Sequence, residues 1–340
     1  MIVYNKRREA LEVTVRLAQQ EDAPDIIALL IKQHGACHPN ADLYNTDFLR
    51  TAIAGGDIYV AVAELENGLL LGIAGANRKN QFAGALELGM MTIHPDYRGF
   101  GMGKHLSSFL LESLTRDAYA CNYCHCMSLD IASQKISTDL GFRITGMILN
   151  CYRTDPRSEN FSGLDIPFKH TLVVVCRAGS KRDAGPLYAP LAHTGYIDGV
   201  YDGLGVAYTL MEDQNRTPEG PASVRTVTLS EKHRYCEVLA KRIGPDFERI
   251  LEDILDRYGH LEGQTFNVLI NLNDSSASWA CRLLEEWGFF FTGIHPLSGP
   301  CEYIIFHCSL RLPVPFDRIA VLPEFTEGFA YIRSRYDRSR

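Results

Sequence analysis

No apolar run in this 340-residue chain approaches the length of a bilayer-spanning helix, so no helical membrane span is expected. There is no surplus of positive charge either. The formal net charge is −7, which removes any general attraction to nucleic acid. The polar stretch Met1–Glu9 carries Lys6, Arg7 and Arg8 but leads into no apolar core, so a secretory signal is not expected. Ten cysteines without such a signal are expected to be reduced thiols in a cytoplasmic protein. A structural zinc site needs four converging ligands, usually two Cys-x-x-Cys knuckles. Cys121 and Cys124, with His125 and Cys126, make only one, and His34, Cys37 and His38 do not make a second, so no metal is expected. No basic partner can be placed beside any thiol, which leaves a cysteine nucleophile unsupported.

What is present is a soluble composition, 46% hydrophobic and 22% charged, at a length that suits two domains. The most informative stretch is Arg98-Gly99-Phe100-Gly101-Met102-Gly103-Lys104. It follows an apolar, strand-like run, Leu86 to Ile93, and precedes a helical pattern, Leu106 to Leu114. Glycines at a strand-to-helix turn remove Cβ atoms, so backbone N–H groups and the helix dipole can face an anion. Two nucleotide motifs fail here. A P-loop needs Ser or Thr after the lysine, where His105 stands, and a dinucleotide fingerprint needs a glycine spacing that residues 99, 101 and 103 do not have.

The stretch instead resembles the acyl-CoA signature Arg/Gln-x-x-Gly-x-Gly/Ala of the GNAT superfamily of N-acyltransferases. Thr92-Ile93-His94-Pro95-Asp96-Tyr97-Arg98-Gly99 looks like that family's approach to the loop, and Leu140-Gly141-Phe142 like its Leu-Gly-Phe. The likeness covers about residues 13–177. Patterning alone also gives the order βααβββαβαββ over this region, with Asp22 as a cap of the first helix and Asn67-Gly68 as a hairpin turn. The expected fold class is α+β: a GNAT-type mixed central sheet flanked by helices, then a second, smaller GNAT-like α/β domain. The expected boundaries are 12–178 for the acyl-CoA-binding domain, 179–222 for a linker with a short helix, and 223–340 for a degenerate GNAT-like domain.

The second half rests on an internal echo. Ser133–Met147 reads SQKISTDLGFRITGM and Ala280–Ile294 reads ACRLLEEWGFFFTGI, sharing Gly-Phe and Thr-Gly in register. The run Gly288-Phe289-Phe290-Phe291-Thr292-Gly293 and the tail from Gly299 to Tyr336 resemble a bacterial two-domain GNAT-type group. This half has no Arg-x-x-Gly-x-Gly loop, so it should not bind CoA in the same way. Trp287, Phe289, Phe290 and Phe291 are read as core packing rather than a binding surface.

The resemblance implies an acyl-CoA, most simply acetyl-CoA, as co-substrate. Backbone groups of Met90 to Ile93, with Met91 and Ile93 as the site residues, would hold the pantetheine arm and the thioester oxygen. Gly99, Gly101, Met102 and Gly103 would offer N–H groups to the diphosphate, with Arg98 and Lys104 close by. Glu87, which interrupts an apolar strand, is the candidate general base. Strand alternation leaves its facing open, toward the reacting groups or toward solvent. Where the family often carries a tyrosine acid this chain has Ser137, and where it often has asparagine this chain has Asp130. The expected activity is direct N-acyl transfer to an amine. The rival is an acyl-CoA-binding sensor or interaction module. The acceptor, a small amine or a protein lysine or N-terminus, would sit against the segments His34–Thr51 and Thr154–Lys169. No nucleic acid or membrane partner is expected, and homodimerisation is left open.

Overall fold

A computed structural model describes residues 1–5, 7–34, 40–114, 119–153, 169–181, 183–212 and 215–340. Among these, Met1–Cys124 makes one compact unit, and His125–Arg153 with 169–340 makes the other. The division falls inside a strand near residue 124.

The first unit opens with a small antiparallel pair that patterning did not suggest, β1 (Ile2–Tyr4) and β2 (Ala10–Glu12). Then come β3 (Thr14–Leu17), α1 (Ala23–His34), α2 (Thr46–Ala54), β4 (Ile58–Glu64), β5 (Leu70–Asn77), β6 (Ala85–Ile93), α3 (Met102–Leu114) and β7 (Cys121–Met127). Strands β3 to β6 pair antiparallel in sequence order, and β7 adds to β6 in parallel. Period-two alternation divides the strands between two cores. Val60, Val62 and Ile73 face Ile26, Leu30 and Leu49 of α1 and α2. Ala61, Leu71, Ala74 and Leu86 face Leu106 and Leu110 of α3. Asn45 caps α2 by accepting from the N–H groups of Asp47 and Phe48. Asp22 does not cap α1. Its carboxylate reaches back to the Gln19 N–H at 2.7 Å and to Arg16 at 2.7 Å.

The second unit contains α4 (Ala132–Asp139), β8 (Arg143–Arg153), β9 (Lys169–Ala178), β10 (Asp183–Leu187), α5 (Thr194–Leu204), β11 (Ala207–Leu210), β12 (Val224–Ser230), β13 (Tyr235–Arg242), α6 (Phe247–Tyr258), β14 (Thr265–Asn271), α7 (Ala277–Glu286), β15 (Phe290–Ser298), β16 (Cys301–Cys308) and α8 (Thr326–Ser339). The segment expected as a linker therefore holds a parallel β10–β11 ribbon around α5. The larger sheet runs β12-β13-β14-β16-β15-β8-β9.

The sequence echo has a structural counterpart. In chain order β5-β6-α3-β7-α4-β8-β9 matches β12-β13-α6-β14-α7-β15-β16. In both runs the first two strands are antiparallel, the pair bridged by the first helix is parallel, and the last two strands form an antiparallel hairpin. Each echo segment is a helix, a turn on a positive-φ glycine (Gly141 at 85°, Gly288 at 80°) and a strand. The strands β8 and β15 meet through equivalent residues, Gly146 opposite Gly293. A Cβ on Gly293 would lie 2.2 Å from the Gly146 Cα, so only glycine permits this crossing. Phe289, Phe290 and Phe291 are buried, and Phe291 stacks on His193 at 4.3 Å, in keeping with core packing.

Candidate active site

Strand β6 and the turn after it carry the site. The β6–β7 ladder has four rungs, Ala85–Cys121, Leu86–Asn122, Glu87–Tyr123 and Leu88–Cys124, and stops. From Gly89 onward β6 is paired only with β5 among the described residues. The β5 register also slips between Ile73 and Gly75, where Met90 takes a positive φ of 52°. A bulge of this kind turns one residue's backbone away from the ladder. It is possible because Gly75 opposite lacks a side chain: a Cβ there would sit 2.9 Å from the Met90 sulfur. Along residues 89–93 only the backbone groups not bonded to β5 face the other edge of the strand, and Gly89 itself is exposed.

The strand runs into His94, whose ring Nδ1 stands 3.3 Å from the Asp96 N at the start of the 3-10 turn Pro95–Tyr97. The loop then turns on two glycines in the left-handed region, Gly99 (φ 87°) and Gly101 (φ 71°), before α3 begins at Met102. Nothing lies within 4 Å of a Cβ built on Gly99, and only the His105 ring, at 4.0 Å, near one built on Gly101. Met102 is buried and anchors the helix start in the α3 core, so it can offer only its backbone. The N–H groups of Met102 and Gly103 have no carbonyl four residues earlier within the helix to bind. Together these features make a cradle of amides with open space above it, which fits a diphosphate.

Lys104 is exposed on the first turn of α3. Arg98 is exposed too, but its Nη2 donates to Gln33 Oε1 at the end of α1 rather than lying over the loop. Met91 turns toward α3, its sulfur 3.9 Å from Ser107 Oγ, and Ile93 packs on the same side. Glu87 is half-buried. Leu86 points into the α3 core, so alternation puts Glu87 on the opposite face, the one α1 and α2 cover. Its rung partners Asn77 and Tyr123 share that face. Tyr123 is 1% exposed, and its ring meets Phe82 edge-on at 5.5 Å. No local signal marks these two neighbours, because register alone brings them to Glu87. Ser137 is buried with its hydroxyl 3.7 Å from Cys126 Sγ. Asp130 accepts the Ala132 N–H at 2.7 Å. The segments 35–39 and 154–168, parts of the expected acceptor wall, lie outside the described residues.

The second half offers a contrast at the equivalent turn. β13 and β14 are paired over six rungs, Tyr235–Thr265 to Ala240–Ile270. At the following strand-to-helix turn a Cβ on Gly244 would meet Pro221 O and Ser223 N at 2.5 Å. The Gly244 N–H is already bound by Ser223 Oγ and the Ile243 N–H by Asp274 Oδ2, both at 2.9 Å. These two amides are therefore already satisfied by side chains, and the Gly244 Cα is covered by backbone. Glu237 occupies the third rung of this ladder, opposite Asn267, as Glu87 occupies the third rung of its own.

Comparison with known proteins bears on the first of these turns. Residues 23–142 match the acetyltransferase (GNAT) family. This segment is a GNAT-family domain. An N-acetylaspartate synthetase of Xenopus tropicalis is 29% identical over 119 residues, which are 35% of this chain and 42% of that protein. The chain thus aligns with well under half the length of that relative. A putative acetyltransferase from Salmonella typhimurium, solved with its cofactor acetyl-CoA, is 24% identical; the match covers 49% of this chain and 93% of that one, with a TM-score of 0.39. A phosphinothricin acetyltransferase from Sinorhizobium meliloti in complex with acetyl-CoA is 20% identical over 50% of this chain and 89% of that one, also at 0.39. The GNAT domain includes Glu87, the bulge at Met90 and the whole glycine turn. Among the described residues no three His, Cys, Asp or Glu side chains are grouped to hold a metal, and no helix is long and apolar enough to cross a membrane.

Proposed function

We propose that the GNAT domain is a cytoplasmic N-acyltransferase that moves an acyl group, most simply acetyl, from CoA to an amine. The observation that carries this reading is the early end of the β6–β7 ladder beside an open, glycine-lined helix start. An acyl-CoA supplies the activated thioester. Amides of Gly99, Gly101, Met102 and Gly103 hold its diphosphate, and the free edge of β6 around Met91 and Ile93 holds its pantetheine arm and the thioester oxygen. Glu87 takes the proton from the attacking amine nitrogen. The new bond joins that nitrogen to the acyl carbon, the carbon–sulfur bond breaks, and the CoA sulfur leaves with the electron pair. The closed β13–β14 ladder and the filled turn at Gly244 support reading the second half as a degenerate copy without CoA.

Thiol release from acetyl-CoA, measured over a panel of small amines and lysine peptides, tests the reading. Glu87→Gln should lower kcat about 10²- to 10⁴-fold, the usual span of a general base, and leave the acetyl-CoA Kd unchanged. A second reading is favoured by Ser137, which is buried against Cys126 and offers no phenol to the leaving sulfur. It is a module that binds acyl-CoA without turnover. Tight acetyl-CoA binding with no thiol release for any acceptor would establish it.

A further inference from the structure

The phosphate-facing turn is anchored from two directions. Downstream, Met102 is buried in the α3 core. Upstream, the anchor is a pair of contacts from the last full turn of α1. Lys32 Nζ lies 2.6 Å from His94 Nε2, and Gln33 Oε1 accepts from Arg98 Nη2. These contacts join residues 62 and 65 positions apart in the chain. They grip both ends of the Pro95–Tyr97 turn that launches the glycine loop. His94 and Gln33 are each only 7% exposed, so both ties are made at buried side chains. His94 also packs edge-on against Tyr97 at 5.4 Å, and its backbone N–H donates to Leu71 O at 2.8 Å. The cations of Lys32 and Arg98 lie near the carboxyl end of α1, where the helix dipole favours positive charge.

We propose, on the acyl-CoA reading given above, that Lys32 and Gln33 are positioning residues for the diphosphate, and that Arg98 serves the site through Gln33 rather than by touching phosphate. A guanidinium bonded to Gln33 ties the start of the loop to α1. What it gives the loop is a fixed origin for the backbone of Arg98 and Gly99. The loop needs such an origin. Between the turn and Met102 stand two glycines with no Cβ contact inside 4 Å to hold them. Amide donors act on an anion only when they are already in place, so a turn free to shift gives up affinity.

The test is a double-mutant cycle on the full chain, read as the acetyl-CoA Kd by calorimetry with the melting temperature recorded alongside. Gln33→Ala and Arg98→Met should each raise Kd about 10-fold, and the double variant should be no worse than either alone. Gln33→Glu, which keeps an acceptor for Arg98, should bind acetyl-CoA as the wild type does. At saturating acetyl-CoA, Gln33→Ala should keep the wild-type kcat, an outcome that general loosening of the domain would not give. Lys32→Met should raise Kd in the same direction. If Gln33→Ala binds normally while Arg98→Met loses affinity, Arg98 contacts phosphate directly and the proposal is overturned. Additive losses in the double variant overturn it too. Absence of acetyl-CoA binding by the wild type would overturn the acyl-CoA reading itself, and the positioning role with it.

Discussion

Adding one methyl group at each of two equivalent turns should have opposite consequences. At Gly101 the backbone sits at φ 71°, so alanine pays the left-handed cost of about 1–2 kcal/mol. It meets nothing but the His105 ring at 4.0 Å. Gly101→Ala should therefore fold and melt within about 4 °C of the wild type. Its methyl group, however, projects into the space a diphosphate would fill. Losing one charge-assisted amide contact of about 1.5–3 kcal/mol raises the acetyl-CoA Kd about 10- to 150-fold. Gly244→Ala reverses the pattern. Its Cβ would stand 2.5 Å from Pro221 O and Ser223 N, both backbone atoms that must move. Overpacking of that kind costs about 1–3 kcal/mol, with no change in acetyl-CoA affinity. Calorimetric titration and thermal unfolding of the two variants, side by side, measure both quantities. A Gly101→Ala protein that binds acetyl-CoA as tightly as the wild type would refute the assignment of the first turn as the phosphate cradle.

Gly293→Ala should be far more damaging than either, by more than about 3 kcal/mol, because its Cβ would lie 2.2 Å from Gly146 Cα and 2.7 Å from Thr145 O at a φ of 129°. Recovery of soluble protein with a wild-type melting temperature would contradict the close β8–β15 crossing. Burial pulls the Lys169 amine down to about 7, so between pH 7 and 8 the folded chain has given up a proton that the unfolded chain keeps. Stability should therefore rise with pH over that window. It should turn over at higher pH, where the Cys151 and Cys236 thiols, pushed up to about 12 by burial, hold protons that the unfolded chain releases. Denaturant titrations of Lys169→Met should lose the rise between pH 7 and 8, and a curve parallel to wild type would count against it. On the acid side, burial holds His170 down to about 4 and His307 down to about 3, so stability should fall as pH drops below about 6.5, where the unfolded imidazoles take up protons. A flat melting temperature from pH 7 to pH 5 would refute that.

Much of the candidate site was legible because its signals are local. Gly99 and Gly101 stand where the chain needs a positive φ, and Met102 and Leu106 begin a helix whose apolar face repeats at helical spacing. The order of elements from β3 to β9 followed from period-two and helical patterning in the same way. Asp22 shows where local reasoning stops: a good capping residue was claimed by Arg16, a partner on another element. The β10–β11 ribbon shows it as well, since Gly, Pro and charged residues look like linker until a second strand arrives to pair with the first.

The amino-acid sequence by itself determined the glycine turn, the carboxylate at position 87 and the echo between Ser133–Met147 and Ala280–Ile294, because each is written in neighbouring residues. Only tertiary structure decided that the β6–β7 ladder ends at Leu88, that Glu87 faces the side of α1 and α2, and that Lys32 and Gln33 touch His94 and Arg98 at the two ends of the turn. The same is true of the filled turn at Gly244 and the meeting of Gly146 with Gly293. These are matters of register and of contact between residues far apart in the chain. Their energies arise only when strands have already chosen partners, so no window of neighbouring residues contains them.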